Sequence, residues 1–259
     1  MNDVSSLKNI RKKIIESVYY AKKGHLGGSL SSVEIIYYLF KNKIVDLCKK
    51  TGKSKNTFIL SKGHASLALV AVLSFFKKNK NDILKFNKDN SLVGNNCSEL
   101  VTGFEFHTGS LGHGVGLGSG VAMAKAISNK SGNTIVLISD GELHEGSVNE
   151  GILFAEQHKL NLTIIIDNNE QICEGFTNKI NNTTKYLNFL KNEFNSLVIN
   201  GNNLSQLKKI NKFIKKKGLK IIIANTIKGK GISFMEKEIR WHHSVPNDME
   251  YNLAIKELI

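Results

Sequence analysis

Proline is almost absent from this 259-residue chain: Pro246 is its only one. Cysteine is nearly as scarce. Cys48, Cys97 and Cys173 are odd in number and far apart, so neither a CxxC zinc pair nor a disulfide framework is present. That usage fits a reducing, cytoplasmic compartment. The N-terminus lacks the apolar core of a signal peptide. No apolar run approaches the roughly 18 residues of a membrane span, so no membrane partner is expected. Acidic residues are the minority, 22 Asp and Glu against 36 Lys and Arg, for a formal charge of +14. A basic balance is a cue for nucleic acid. Yet the aromatics do not interleave with the lysines as they do in a single-strand groove. The abundance of Lys, Asn and Ile matches AT-rich codon usage, and runs such as Lys215-Lys216-Lys217 read as solvated helix faces. A basic nucleic-acid-binding protein therefore rests on charge alone, and no nucleic-acid partner is expected. Two phosphate motifs are also missing. There is no G-x-x-x-x-G-K-[ST], and no three of the glycines at 109, 112, 114, 116, 118 and 120 satisfy G-x-G-x-x-G.

What is present is a core. Apolar residues make up 41% of the chain, too many for a disordered segment. Residues 4–22 carry Leu7, Ile10, Ile14, Ile15 and Val18 at helical spacing. Ser31 and Glu34 have the spacing of a capping box for a helix running to about Phe40. A short strand in "NTFILSKGHA" leads to a helix from His64 to about Phe76, and residues 79–107 read as a long loop with some helix. Further helices are expected at Val115–Ile127, Ser147–His158 and Leu204–Lys217. Strands are expected at Ile135–Ile138, Thr163–Ile166, Ser196–Ile199 and Lys220–Ala224. Strands alternating with helices predict one α/β domain over residues 1–259, a parallel sheet covered by helices on both faces.

Ligands of open parallel sheets bind beyond the carboxyl ends of the strands. Two strands here run out into oxygen-bearing side chains, one at Asp140 and one at Asn169, which are 169 − 140 = 29 residues apart. That is the length of one strand–helix–strand unit, so the two sit at one edge of the sheet. A carboxylate with an amide oxygen suits Mg²⁺ or Ca²⁺. Gly141 removes a Cβ where a phosphate approaches the backbone. Alone, an Asp-Gly turn or an Asx turn is an ordinary surface feature; together at this spacing they point to a metal–phosphate site.

These residues, with "GHLGGSLSS", "LSKGHASLAL", "TGSLGHGVGLGSGVAMA" and "TIKGKGISFME…WHH", resemble the thiamine-diphosphate-binding N-terminal domain of transketolases. The resemblance runs from roughly residue 8 to 246. It implies that Asp140, Asn169 and the backbone carbonyl of Gln171 hold Mg²⁺ (or Ca²⁺). It places Gly141 against the cofactor diphosphate, His64 beside it, and Gly109, Ser110 and Leu111 along its backbone contacts. Glu145 matches a residue reaching the dimer partner's cofactor-activating region. His25 and His242 match histidines near the reacting carbon, and His113 replaces a frequent glutamine able to bond a substrate hydroxyl. His107, His144, His158 and His243 are left as structural or surface residues.

Three departures stand out. Ser139 replaces the first glycine of the Gly-Asp-Gly signature, Asn95 and Asn96 stand where a donor-contacting histidine is common, and His243 replaces a glycine. The resemblance further implies that the pyrimidine-binding and C-terminal domains lie on a companion C-terminal transketolase subunit. The expectation is thus the N-terminal subunit of a split transketolase, active with its partner in a two-plus-two complex on sugar or sugar-phosphate substrates. A transketolase-like enzyme with a non-standard donor or acceptor is the alternative. A 2-oxoacid dehydrogenase component fits the histidine-bearing segments less well.

Overall fold

The computed structural model describes residues 2–47, 56–78 and 82–259, so Cys48 lies outside the described residues. Five strands form one wholly parallel sheet: β1 (Thr57–Leu60), β2 (Thr134–Ser139), β3 (Leu162–Asn168), β4 (Ser196–Asn200) and β5 (Lys220–Asn225), in the order β1-β2-β3-β5-β4. The α/β fold with a parallel sheet is the one the alternating pattern predicts. The helices are α1 (Asp3–Ala21), α2 (Leu26–Ser31), α3 (Val33–Lys41), α4 (Ser66–Phe75), α5 (His113–Ile127), α6 (Gly146–Gln157), α7 (Thr177–Ile180), α8 (Thr183–Glu193), α9 (Leu204–Leu207), α10 (Lys209–Phe213) and α11 (Asp248–Glu257).

The sheet separates two cores. Ile135 and Leu137 of β2, Ile165 of β3 and Ile222 of β5 join a core shared with α1–α4, α9, α10 and α11. Their neighbours Val136, Ile138, Ile164, Ile166, Ile221 and Ile223 enter the opposite core, under α5, α6 and α8. Side chains alternate between faces along a strand, and here both faces are covered. That is why these strands read as unbroken apolar runs.

Several local expectations need correction. Ser31 and Glu34 form no capping box. Ser32 precedes α3 without a side-chain cap, because Ser31 Oγ donates to Asp167 Oδ2 at 2.6 Å and Glu34 Oε1 accepts from Arg11 at 2.6 Å. Tertiary partners outcompete the local cap. The helix expected from His64 starts at Ser66, after a single 3-10 turn at Gly63–Ala65. The stretch Leu204–Lys217 breaks at Lys208 into α9 and α10. Helices α2, α7, α8 and α11 have no counterpart among the elements expected from the sequence, and within the long loop the described residues hold one 3-10 turn, Ile83–Lys85.

Helix α5 is rich in glycine because it lies flat on the sheet and on α6. A Cβ at Gly118 would sit 2.4 Å from Val136 Cγ2, whereas at Gly120 it would meet nothing within 4 Å. Gly118→Ala should therefore overpack the core and cost about 1–3 kcal/mol. Gly120→Ala should stabilise by about 0.5–1 kcal/mol, since alanine loses less chain entropy in a helix. Urea melts of the two variants check this; equal midpoints would mean α5 does not lie on the sheet by this face.

Candidate functional site

Strands β2 and β3 are paired so that Ser139 lies opposite Asp167. Asp140 and Asn169 therefore leave the sheet on neighbouring strands, at its carboxyl edge. The Asp140 carboxylate is fully buried. Its Oδ1 accepts from Gly141 N–H at 3.0 Å and its Oδ2 from Glu170 N–H at 2.7 Å. Asn169 Oδ1 accepts from Gln171 N–H at 3.2 Å. Glu170 reaches this bend with φ of 64°, a left-handed conformation that is uncommon outside glycine. Burial, and then the nearby charge of Asp167, push the Asp140 carboxyl up to about 7.

A cavity of about 560 Å³ opens over these strand ends. Of the residues singled out from the sequence, it is lined by His25, His64, Gly109, Leu111, Asp140, Gly141, Glu145, Asn169, Gln171 and His242. Ser110 and His113 are not part of its lining; both are exposed, and His113 Nδ1 lies 3.2 Å from the Leu111 carbonyl. Three turns from distant parts of the chain supply the histidines. His25 caps α2, His64 sits in the turn after β1, and His242 ends the turn Ile239–His242. Their ring centroids are 5.5 Å (25–64), 5.7 Å (25–242) and 6.0 Å (64–242) apart. Burial is the main cause that holds all three below the usual imidazole range, with His243 acting next on His25, Lys62 on His64 and Lys228 on His242. His242 is lowered to about 3. The cluster is neutral at pH 7.

Sequence reasoning missed the charges beneath this cavity. Lys62 and Asp167 form an ion pair with both side chains fully buried. Asp167 also accepts from Ser31 and Ser32, the latter at 3.1 Å, and from Thr226. Burial alone would raise the Asp167 carboxyl; Lys62 and these hydroxyls outweigh it and hold it low. Lys228 Nζ donates to the Gln171 carbonyl at 3.0 Å and lies 2.7 Å from His242 Nδ1. Burial brings its ammonium down to about 8. Glu142, from the acidic turn after β2, is also buried. It accepts from Ser61 Oγ, from Gly112 N–H at 3.1 Å and from Ser139 N–H at 2.9 Å, so it ties three turns together. Gly112 has φ of 82°, and a Cβ there would lie 2.6 Å from Glu145 Cβ. A signal for both lysines was available: each follows a strand end in a quoted motif, Lys62 in "LSKGH" and Lys228 in "TIKGKG". Two histidines set aside as surface also belong here. His144 lines the cavity and bonds Thr183 Oγ1 at 2.8 Å, and His243 packs against His25.

Among the described residues no group of three or more His, Cys, Asp or Glu is placed to hold a metal. The donor set at the strand ends is of another kind: one carboxylate, one amide and one carbonyl, all oxygen, as Mg²⁺ and Ca²⁺ require. It fits a cation physically. Asp140 is buried with no ion pair among the described residues; the Gln171 carbonyl accepts from Lys228 Nζ at 3.0 Å.

The chain matches the family model described as "Transketolase, thiamine diphosphate binding domain" over residues 2–256. It is 33% identical to an apulose-4-phosphate transketolase subunit from Phocaeicola vulgatus, over 99% of this chain and 93% of that protein. It is 30% identical to the 6-deoxy-6-sulfo-D-fructose transketolase subunit SqwG of a Clostridium species, over 96% and 93%. The crystal structure of transketolase from Campylobacter jejuni superposes with a TM-score of 0.88 at 25% identity, covering all of this chain and 43% of that one.

Two outcomes follow from the buried charges. Lys62→Met or Asp167→Leu alone should cost about 3–5 kcal/mol, because each strands a buried charge, while the double variant should recover much of the loss. A double-mutant cycle by urea melts measures it; additive losses would mean the pair is not coupled. Asp140 behaves in the opposite sense to a salt-bridged acid. Its folded value is raised, so metal-free stability is full below about pH 4 and declines as pH climbs through about 7. Asp140→Asn should therefore stabilise the metal-free chain at pH 8 and leave it near wild type at pH 4.

Proposed function

The chain belongs to the family of thiamine diphosphate-binding transketolase domains, and on that premise we propose that it is the N-terminal subunit of a split transketolase. With a companion chain it moves a two-carbon ketol unit from a ketose to an aldose. The observation that carries this reading is the meeting, in one cavity at the carboxyl edge of the sheet, of the Asp140–Asn169 oxygen pair and three histidines. The relatives that match it nearly end to end are themselves named as subunits, which supports a companion chain. The chain spans 43% of the Campylobacter transketolase. Residues 1–259 then form one diphosphate-binding domain, and the pyrimidine-binding and C-terminal domains belong to the companion, in a two-plus-two complex. Among the described residues no helix is long and apolar enough to cross a membrane.

Thiamine diphosphate, when bound, supplies the electron sink for cleaving a carbon–carbon bond. The chain's own residues bind it and manage protons. Asp140, Asn169 and the Gln171 carbonyl hold Mg²⁺ (or Ca²⁺), and Lys228 adds positive charge beside them. His64 and the backbone of Gly109, Ser110, Leu111 and Gly141 take up the diphosphate side. His25, neutral at pH 7, is able to accept a proton from a sugar hydroxyl, while His242, whose Nδ1 faces Lys228 Nζ at 2.7 Å, offers its Nε2–H as a donor to substrate oxygen. His113 serves a substrate hydroxyl, and Glu145 faces the cofactor-activating region of a second chain. A sugar outside central metabolism is the second reading. His243 beside His25 favours it, as do relatives named for apulose 4-phosphate and a sulfo-sugar.

Asp140→Ala should weaken Mg²⁺-dependent thiamine diphosphate binding by at least about 1.5–3 kcal/mol, read by calorimetry with the companion present; unchanged affinity and metal dependence would remove Asp140 from the site. The chain purified alone should show no ketol transfer and gain it on adding the companion. Turnover by the lone chain, free of companion by mass spectrometry, would sink the split-enzyme proposal.

A further inference from the structure

His25 stands in the cavity with His64 and His242 on one side. Two other side chains close on it, and neither was counted with the cofactor-facing set. Asn95 places Oδ1 3.4 Å from His25 Nδ1. His243 meets the ring edge-on, with centroids 4.6 Å apart at 70°, closer than either of the other two imidazoles. Both side chains are anchored from behind. The Asn95 N–H donates to Asn87 Oδ1 at 3.1 Å, and the Asn95 carbonyl accepts from Ser66 Oγ, at the start of α4, at 2.9 Å. His243 follows Trp241, which is buried and whose Nε1–H donates to the Phe234 carbonyl at 3.2 Å.

We propose that Asn95 and His243 are positioning residues for His25: Asn95 keeps the imidazole proton on Nδ1, and His243 holds the ring in place. This deepens the proposed function and rests on it. An amide oxygen only accepts, so the ring nitrogen facing it carries the proton. Nε2 is then left with its lone pair, the form needed to take a proton from a sugar hydroxyl. A separation of 3.4 Å is long for a hydrogen bond, as is common in sites that tighten around substrate. His243 acts in a second way. After burial, it is the largest cause holding His25 below the usual imidazole range; Lys228 and Lys23 act in the same sense, and the Asn95 contact opposes them. The other imidazoles facing His25, those of His64 and His242, are neutral at pH 7. Losing His243 removes that influence, so His25 will protonate at higher pH.

The test uses the full chain labelled with ¹⁵N-histidine, with long-range proton–nitrogen correlation reading the His25 tautomer and titration. His25→Gln identifies the signals. Wild type should show the Nδ1–H form, Asn95→Leu should lose it, and Asn95→Asp, which retains an acceptor oxygen, should keep it. His243→Gly should move the His25 titration to higher pH. In the complex with the companion, Mg²⁺ and thiamine diphosphate, Asn95→Leu should lower kcat about tenfold, a fraction of what a general base contributes, with apparent cofactor affinity held within about twofold. An unchanged tautomer in Asn95→Leu overturns the proposal, as does a changed tautomer with unchanged kcat, or an unmoved titration in His243→Gly. If wild-type complex transfers no ketol unit, the proposed function fails, while tautomer and titration still decide whether Asn95 and His243 position His25.

Discussion

The Lys62–Asp167 ion pair is the contact on which the carboxyl edge of the sheet depends. Two charges with no solvent exposure would cost several kcal/mol each if left alone. They persist because Asp167 also receives hydroxyls from Ser31, Ser32 and Thr226, while Lys62 donates to the Gly28 carbonyl at 3.1 Å. These partners come from the end of β1, from α2, from β3 and from the end of β5. The turns bearing His25 and His64 are thereby fixed to one point, and the turn bearing His242 joins them through Lys228. A neutral core would pack these strands equally well but would not orient the three turns.

The cavity also sets two carboxylates on neighbouring strands against each other. Asp167 is fully compensated and stays ionised. Asp140, one residue beyond the end of β2, receives two backbone N–H groups and, among the described residues, no ion pair, and is pushed up to about 7. Like charges this close do not both ionise easily. The first acid is structural, and the second is the one the proposed function assigns to a cation. Glu142 is a third buried acid, but its three donors make it a fastener between turns rather than a ligand.

The outer face of α6 and α8 has a different character. Leu153 and Phe154 on α6 and Phe189 on α8 are large apolar side chains left exposed. Glu145 and His144 stand at the N-terminal end of α6, on the rim of the cavity.

Much of this was legible in the chain itself. The alternation of apolar strands with amphipathic helices set the α/β class, because a parallel sheet buried on both faces needs unbroken runs such as Ile135–Ile138. The 29-residue spacing put Asp140 and Asn169 on neighbouring strands, because one strand–helix–strand unit has that length. Local caps were less legible: Ser31 and Glu34 have the spacing of a capping box, but Asp167 and Arg11 lie 136 and 23 residues away and claim both side chains. Only the tertiary structure decided which charges are buried, and so which imidazoles are held below their usual range and which carboxyl is raised. Those properties depend on solvent exclusion and on partners up to 136 residues distant, and no pattern of residues along the chain carries that information.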